Sequence, residues 1–161
     1  LVLAILVPVI QANSIRLGDL LLNPAPVASL SGVLALLVCI SCTQAKLTLV
    51  PFDMPEAETE LSGGALIEYS GPPLAIFKLT RAMMLFTMPV LLIVLFFGGL
   101  LSGPVWQRWL TGFLIWFVLV AITIVIRNTT PRVRVDQAVR FFWGPVSVIA
   151  LLAVMLAWVG W

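Results

Sequence analysis

The sequence PFDMPEAETELSGGALIEYSG, at residues 51–71, carries five of the seven acidic residues of the chain. The five are Asp53, Glu56, Glu58, Glu60 and Glu68. The sequence has no lysine or arginine between Lys46 and Lys78, and apolar runs long enough to cross a bilayer lie on both sides. Because a cluster of like charges beside a membrane is costly to build, we expect this acidic stretch to have a function and the other residues to form its scaffold.

The composition predicts a membrane protein. Of 161 residues, 61% are hydrophobic and 10% are charged, whereas a soluble domain carries about 25% charged residues. The mean hydropathy is +1.15. We therefore expect an all-α fold, a polytopic transmembrane helix bundle, forming a single domain over residues 1–161 in the cell membrane. Lipid is then a partner, and the absence of a basic tract argues against nucleic acid.

The apolar runs predict one partial and four full membrane spans, because a crossing needs about 20 apolar residues. The expected spans are residues 1–12 (partial), 27–46, 74–101, 105–126 and 141–161, with loops at 47–73 and 127–140. The chain begins inside an apolar run, without a methionine or a polar leader region. That start indicates a portion of a longer chain rather than a signal peptide.

The basic residues predict the orientation of these spans. Alternation places the acidic loop, 47–73, and the arginine loop, 127–140, on the same side of the membrane. Seven basic residues lie at this side, and only Arg16 and Arg108 lie at the other. The excess of positive charge makes the first side cytoplasmic, so the two loops are expected to be neighbours whose opposite charges pair.

Carboxylates spaced as in the acidic stretch suit the uptake of protons or cations. Asp53 can cap a helix that opens at Met54-Pro55, in which Glu56 and Glu60 share a face as like charges. Near a low-dielectric wall, repulsion and desolvation raise carboxyl pKa values and couple the titrations. We expect Glu58 to belong to this cluster, and Glu68 and Tyr69 to extend it by hydrogen bonding. A solvated loop, or a loop that docks a basic partner, is the simpler alternative.

Several charged residues are candidate partners of these carboxylates. Lys78 and Arg81 lie in the first turns of a span, where they either reach back to the interface or form salt bridges with the acidic loop. Positive-inside topology by itself accounts for most of the arginine loop. The candidate partners are Lys46, Lys78, Arg81, Arg132, Arg134 and Asp136.

The chain lacks the residues of a resident metal or redox centre. It has no histidine, and its two cysteines, Cys39 and Cys42, cannot complete a four-ligand zinc or iron–sulfur site. We expect no catalytic residue, metal or cofactor in this chain. The cysteines are expected to pack a helix interface as small buried residues, with a redox pair or a shared metal site as the alternative.

Two motifs resemble a known family. Pro51-Phe-Asp-Met-Pro-Glu-Ala-Glu58, followed by Glu68-Tyr-Ser-Gly71, resembles the loop signature of the complex I subunit 1 (H-type) family. Pro131-Arg-Val-Arg-Val-Asp-Gln137 is similar to the segment before that family's last helix. The resemblance covers essentially the whole chain, as the C-terminal half of a subunit of about eight helices. It implies a subunit that anchors the peripheral redox arm and begins the ion-transfer path at its carboxylates.

Departures from the family pattern distinguish its branches. Quinone-reducing members typically read A-E-T-N-R-x-P-F-D, whereas Lys46 and Leu49 stand here at the expected Glu and Arg, and Arg81 stands where a Glu is usual. This resembles the branch of membrane-bound hydrogenases and sulfane sulfur reductases. The resemblance implies ferredoxin as donor, and a nickel–iron centre and iron–sulfur clusters in partner subunits.

Three hypotheses follow from the sequence. The first is a non-redox subunit that couples hydrogenase-type electron transfer to H⁺ or Na⁺ translocation. The second is the quinone-site subunit of an NADH:quinone oxidoreductase. The third is a structural anchor whose acidic loop only docks a soluble partner.

Overall fold

The computed structural model describes residues 1–53, 69–101 and 103–160. Within these ranges the chain is made of helices and connecting turns, with no strand, which confirms the all-α class. The helices are α1 (Val2–Ala12), α2 (Leu17–Leu22), α3 (Leu30–Lys46), α4 (Pro72–Phe96), α5 (Val105–Thr129), α6 (Val135–Phe141) and α7 (Ser147–Val159). Two 3₁₀ turns, Pro26–Ala28 and Gly98–Leu101, and a π turn, Phe142–Val146, complete the described elements.

Among the described residues, three helical segments are long and apolar enough to cross a membrane: α4, α5 and the continuous segment Val135–Val159. Each has 25 residues, which corresponds to about 37 Å of helix against a hydrocarbon core of about 30 Å. Helices α1 and α3 are apolar but shorter, at 11 and 17 residues. This confirms the predicted polytopic helix bundle.

The ends of the helices differ from the predicted spans. The last helix begins at Val135 and not near residue 141, because the Gln137 Oε1 atom accepts a hydrogen bond of 3.3 Å from the Arg134 backbone N–H. Asp136 in the first turn favours the same start through the helix dipole. Since α5 also continues to Thr129, the connection between the two helices shrinks to residues 130–134.

The core lies where α3 packs against α1 and α7. Alanines at positions 150, 153 and 157 form one face of α7, and all three are buried. Small residues let helix backbones approach closely in lipid. At the start of α3, Gly32 lies so close to the preceding 3₁₀ turn that a Cβ atom would be 1.8 Å from the Pro26 carbonyl oxygen.

The cysteines take part in this packing. Cys39 is fully buried in the core and Cys42 is partly buried against it, and both are free thiols. The packing role predicted for them agrees with this burial. Within the described ranges, no group of three or more histidine, cysteine, aspartate or glutamate side chains could hold a metal ion.

The bundle has two distinct ends. At one end, α2 lies against the turn Gly98–Leu101, and a Cβ on Gly98 would meet the Leu20 carbonyl oxygen at 2.4 Å. At the other end, the chain leaving α3 meets the connection between α5 and α6. The second end carries the candidate site.

Candidate functional site

The chain turns back sharply after α3. Its backbone closes two turns, from the Leu49 N–H to the Gln44 carbonyl (3.2 Å) and from the Phe52 N–H to the Leu49 carbonyl (2.8 Å). Thr48 lies in the first of these turns with φ of 50°, in the left-handed region that side-chain-bearing residues adopt only with difficulty. The result is a folded segment, residues 47–53, that points the start of the acidic stretch at the arginine loop.

Phe52 anchors this segment. Its ring packs on Phe142 at 4.8 Å between centroids and on Phe141 at 6.0 Å. The residue is 7% exposed. Aromatic pairs at such distances add to the free energy gained from burial alone, so the rings hold segment 47–53 on the start of the last helix.

Two polar contacts fix the same junction. The Val133 N–H donates a hydrogen bond of 3.1 Å to the Pro51 carbonyl. Next to this bond, an ion pair joins the same two segments: Arg132 Nη2 lies 3.3 Å from Asp53 Oδ2. The Asp53 side chain is 14% exposed and that of Arg132 is 47% exposed. We call residues 47–53 and 130–134, joined in this way, the loop–loop contact; it brings together two of the charged residues singled out from the sequence.

Helix α4 reaches the same place through Arg81. Its Nη2 atom donates to the Thr48 hydroxyl oxygen, and that hydroxyl donates to the Leu47 carbonyl at 2.8 Å. Arg81 is partly buried, so its guanidinium is directed at segment 47–53 and not simply out into solvent. The loop–loop contact is therefore supported from α3, α4 and α5.

A buried side-chain amide lies in the last turn of α3, just before segment 47–53. Gln44 is 1% exposed, and its Nε2 donates a hydrogen bond of 2.9 Å to the Thr123 carbonyl on α5. Its Oε1 has no hydrogen-bond partner among the described residues, and a buried polar atom without a partner costs free energy. Sequence reasoning missed Gln44; the signal was an amide at the end of an apolar run, just before Lys46.

The other predicted site residues are not gathered into the contact. Tyr69 is exposed, with its ring against Phe77 at 5.3 Å between centroids. The remaining predicted charge partners are exposed, and in the described part of the chain the structure gives them no ion pair: Lys46, Lys78, Arg134 and Asp136. The predicted ion-coupling residues Glu56, Glu58, Glu60 and Glu68, with the helix expected to open at Met54-Pro55, lie outside the described residues.

The arrangement has a clear chemical consequence. Arg132 compensates one carboxylate, that of Asp53, at the point where the acidic stretch begins. Arg81 brings a second fixed cation to the same turn. Two arginines from different parts of the chain therefore lie at the point where the acidic stretch begins.

Comparison with known proteins gives consistent relatives. The family model described as NADH dehydrogenase matches residues 1–158. The H-type subunit of the NADH-quinone oxidoreductase of Geobacillus kaustophilus is 39% identical over 170 residues, which covers 98% of this chain and 50% of that protein. Its counterpart in Brevibacillus brevis is 41% identical over 124 residues, which covers 74% of this chain and 37% of that protein. The chain thus spans about half the length, or less, of these curated relatives.

A solved structure shares the fold. It is that of the membrane-bound sulfane sulfur reductase, an archaeal respiratory membrane complex, with a TM-score of 0.81 and 23% sequence identity. The match covers 97% of this chain and 56% of that one. Since the family model spans nearly all of the sequence and the long apolar helices have the character of a membrane subunit, this chain belongs to the complex I subunit 1 (H-type) family.

Proposed function

We propose that this chain forms the ion-coupling part of a non-redox membrane subunit in a respiratory oxidoreductase complex. It anchors the peripheral redox arm and couples electron transfer there to H⁺ or Na⁺ translocation through the carboxylates Asp53, Glu56, Glu58, Glu60 and Glu68. The redox centres belong to partner subunits, because the chain offers no histidine and only two cysteines for ligation.

The observation that carries this proposal is the ion pair between Asp53 and Arg132. It joins the acidic stretch to a loop that is remote in sequence, at one end of helices apolar enough to span a membrane. A merely solvated acidic loop would need no such attachment. A carboxylate path that must respond to events in a peripheral arm needs a fixed starting point, and the loop–loop contact supplies one.

The hydrogenase-type branch of the family is our first choice. Arg81 stands where quinone-reducing members usually have a glutamate, and its bond to Thr48 places a positive charge in the turn itself. Partners would then be other membrane subunits and peripheral hydrogenase-like subunits that hold a nickel–iron centre and iron–sulfur clusters. We expect the two loops to face the cytoplasm.

The quinone-reducing role is the second candidate. The observation in its favour is that the curated relatives at 39% and 41% identity are named as H-type subunits of NADH-quinone oxidoreductases. Four cysteines holding nickel and iron in the adjacent soluble subunit would decide for the hydrogenase type. Inhibition of the complex by quinone-site inhibitors would decide for the quinone type.

The coupling role is tested in the assembled complex reconstituted into liposomes, by measuring ions translocated per electron transferred. Glu56→Gln and Glu68→Gln should abolish translocation, since an amide cannot exchange a proton. Asp19→Asn, at the opposite end of the bundle, is the control and should leave the ratio unchanged. Full translocation in both glutamate variants would refute the coupling role, and weakened assembly with a normal ratio would favour the structural anchor.

A further inference from the structure

A groove on the outer surface of the bundle, between α4 and α5, is unrelated to the loop–loop contact. Its volume is about 420 Å³, within the range of about 300–1,000 Å³ that is usual for ligand sites. Helix α4 lines it with Phe86 and Val90, and α5 lines it with Trp109, Gly112 and Trp116. Nearly all of the lining surface is apolar, as lipid tails require.

A single charged residue, Arg108, is found among those that line the groove, and it lies at one end. Its Nε donates a hydrogen bond of 3.0 Å to the Leu101 carbonyl, which fixes the side chain beside the turn that precedes α5. Its Nη2 approaches the Gly103 carbonyl at 3.4 Å, and the side chain is exposed. These carbonyls orient the guanidinium but do not neutralise it, and the structure pairs it with no carboxylate in the part of the chain it describes.

The position of Arg108 matches a membrane interface. It stands in the first turn of α5 between Trp106 and Trp109, both of which are largely exposed. Exposed tryptophans at the ends of membrane helices mark the headgroup level. From Arg108 to Trp116 the groove follows α5 for about 12 Å, from that level towards the bilayer centre.

A charge at the headgroup level and an apolar slot below it are complementary to one class of ligand. We propose that the groove between α4 and α5 binds an anionic phospholipid, with the phosphate on Arg108 and one acyl chain along Gly112 and Trp116. A purely apolar transmembrane helix would fill the slot but would leave the guanidinium without a counter-ion. Arginine, with its planar fork of donors, is well suited to phosphate oxygens.

Gly112 gives the slot its depth. A Cβ atom there would only touch Leu101 Cδ2, at 3.4 Å. Alanine is therefore tolerated, whereas leucine would project into the space assigned to the acyl chain. Arg108→Gln therefore removes the charge at the groove, and Gly112→Leu removes the space assigned to the acyl chain.

The test is photo-crosslinking in the assembled complex, reconstituted in phosphatidylcholine vesicles that contain phosphatidylglycerol with a diazirine on its acyl chain. We expect adducts on peptides of α4 and α5 that line the groove. Arg108→Gln should lower their yield about fivefold, the factor that corresponds to one arginine near an anionic lipid surface. Arg108→Lys should keep most of the yield, and Arg16→Gln, the matched control, all of it.

Gly112→Leu should lower the yield with Arg108 intact, and Gly112→Ala should not, which separates loss of space from misfolding. The same yield in Arg108→Gln and the wild type would overturn the proposal. So would groove labelling no stronger than that of lipid-facing Met155 on α7, or crosslinks from the groove to a protein subunit in place of lipid. None of these outcomes depends on whether the complex translocates ions.

Discussion

Breaking the ion pair between Asp53 and Arg132 should loosen the loop–loop contact by a measurable amount. At 3.3 Å the bare attraction is roughly 5 kcal/mol at an effective dielectric constant of 20. Arg132 is about half exposed, and the ordering of its long side chain opposes the pairing, so the net contribution falls to about 1 kcal/mol. That value corresponds to about a fivefold change in the population of the open contact.

The Val133 amide reports this opening directly, because its N–H is bonded to the Pro51 carbonyl across the contact. We expect Asp53→Asn and Arg132→Gln each to speed its hydrogen exchange about fivefold. The acceleration in the double variant should be smaller than the product of the two single effects, since both variants remove the same interaction. The Asn23 amide, bonded to the Asp19 carbonyl at the other end, should not change. Effects that multiply in the double variant, or an unaltered Val133 amide, would refute the reasoning.

Three further predictions concern the scaffold. Gly32→Ala should prevent normal folding, because its Cβ would meet the Pro26 carbonyl at 1.8 Å, whereas Gly18→Ala, with open space around it, should raise the thermal midpoint in detergent slightly. Phe52→Ala should cost about 3 kcal/mol of local stability, seen as faster proteolysis in the connection 130–134, while Phe52→Leu should restore most of the protection. Gln44→Met should leave the thermal midpoint nearly unchanged, because it removes a hydrogen bond and an unpartnered oxygen together; a large fall would mean that Oε1 has a partner in the assembled complex.

The sequence predicted much of the fold because membrane crossing leaves a strong signal. Apolar runs predicted the helices, and the alternation of the spans put the acidic and arginine loops at the same end, where the structure has residues 47–53 and 130–134 in contact. The last helix begins six residues before the predicted span 141–161, because the sequence analysis took the loop to extend to its last arginine. Gln137 accepts the hydrogen bond of the Arg134 backbone N–H, and Asp136 lies in the first turn, so both favour a start at Val135.

The site itself was only partly predictable. Charge complementarity suggested Arg132 as a partner of the acidic stretch, but it suggested Arg134 equally, and only the fold shows that it is Arg132 that lies beside Asp53. For Arg81 the sequence left two interpretations; its bond to Thr48 directs the side chain at segment 47–53, and a salt bridge to the acidic loop stays a prediction. Gln44 carries no charge and follows no spacing rule, so its role depends entirely on which backbone carbonyl of α5 lies opposite.

The π turn Phe142–Val146 has a consequence for how the acidic stretch is held. A π turn contains one residue more than an α turn, so the side chains before it are offset by about 100° around the helix axis from where a continuous α-helix would place them. Phe141 immediately precedes the π turn and Phe142 is its first residue, and the rings of both pack on Phe52. The aromatic contacts that hold Phe52, and with it the start of the acidic stretch, therefore depend on the hydrogen-bond register of the last helix as well as on its position.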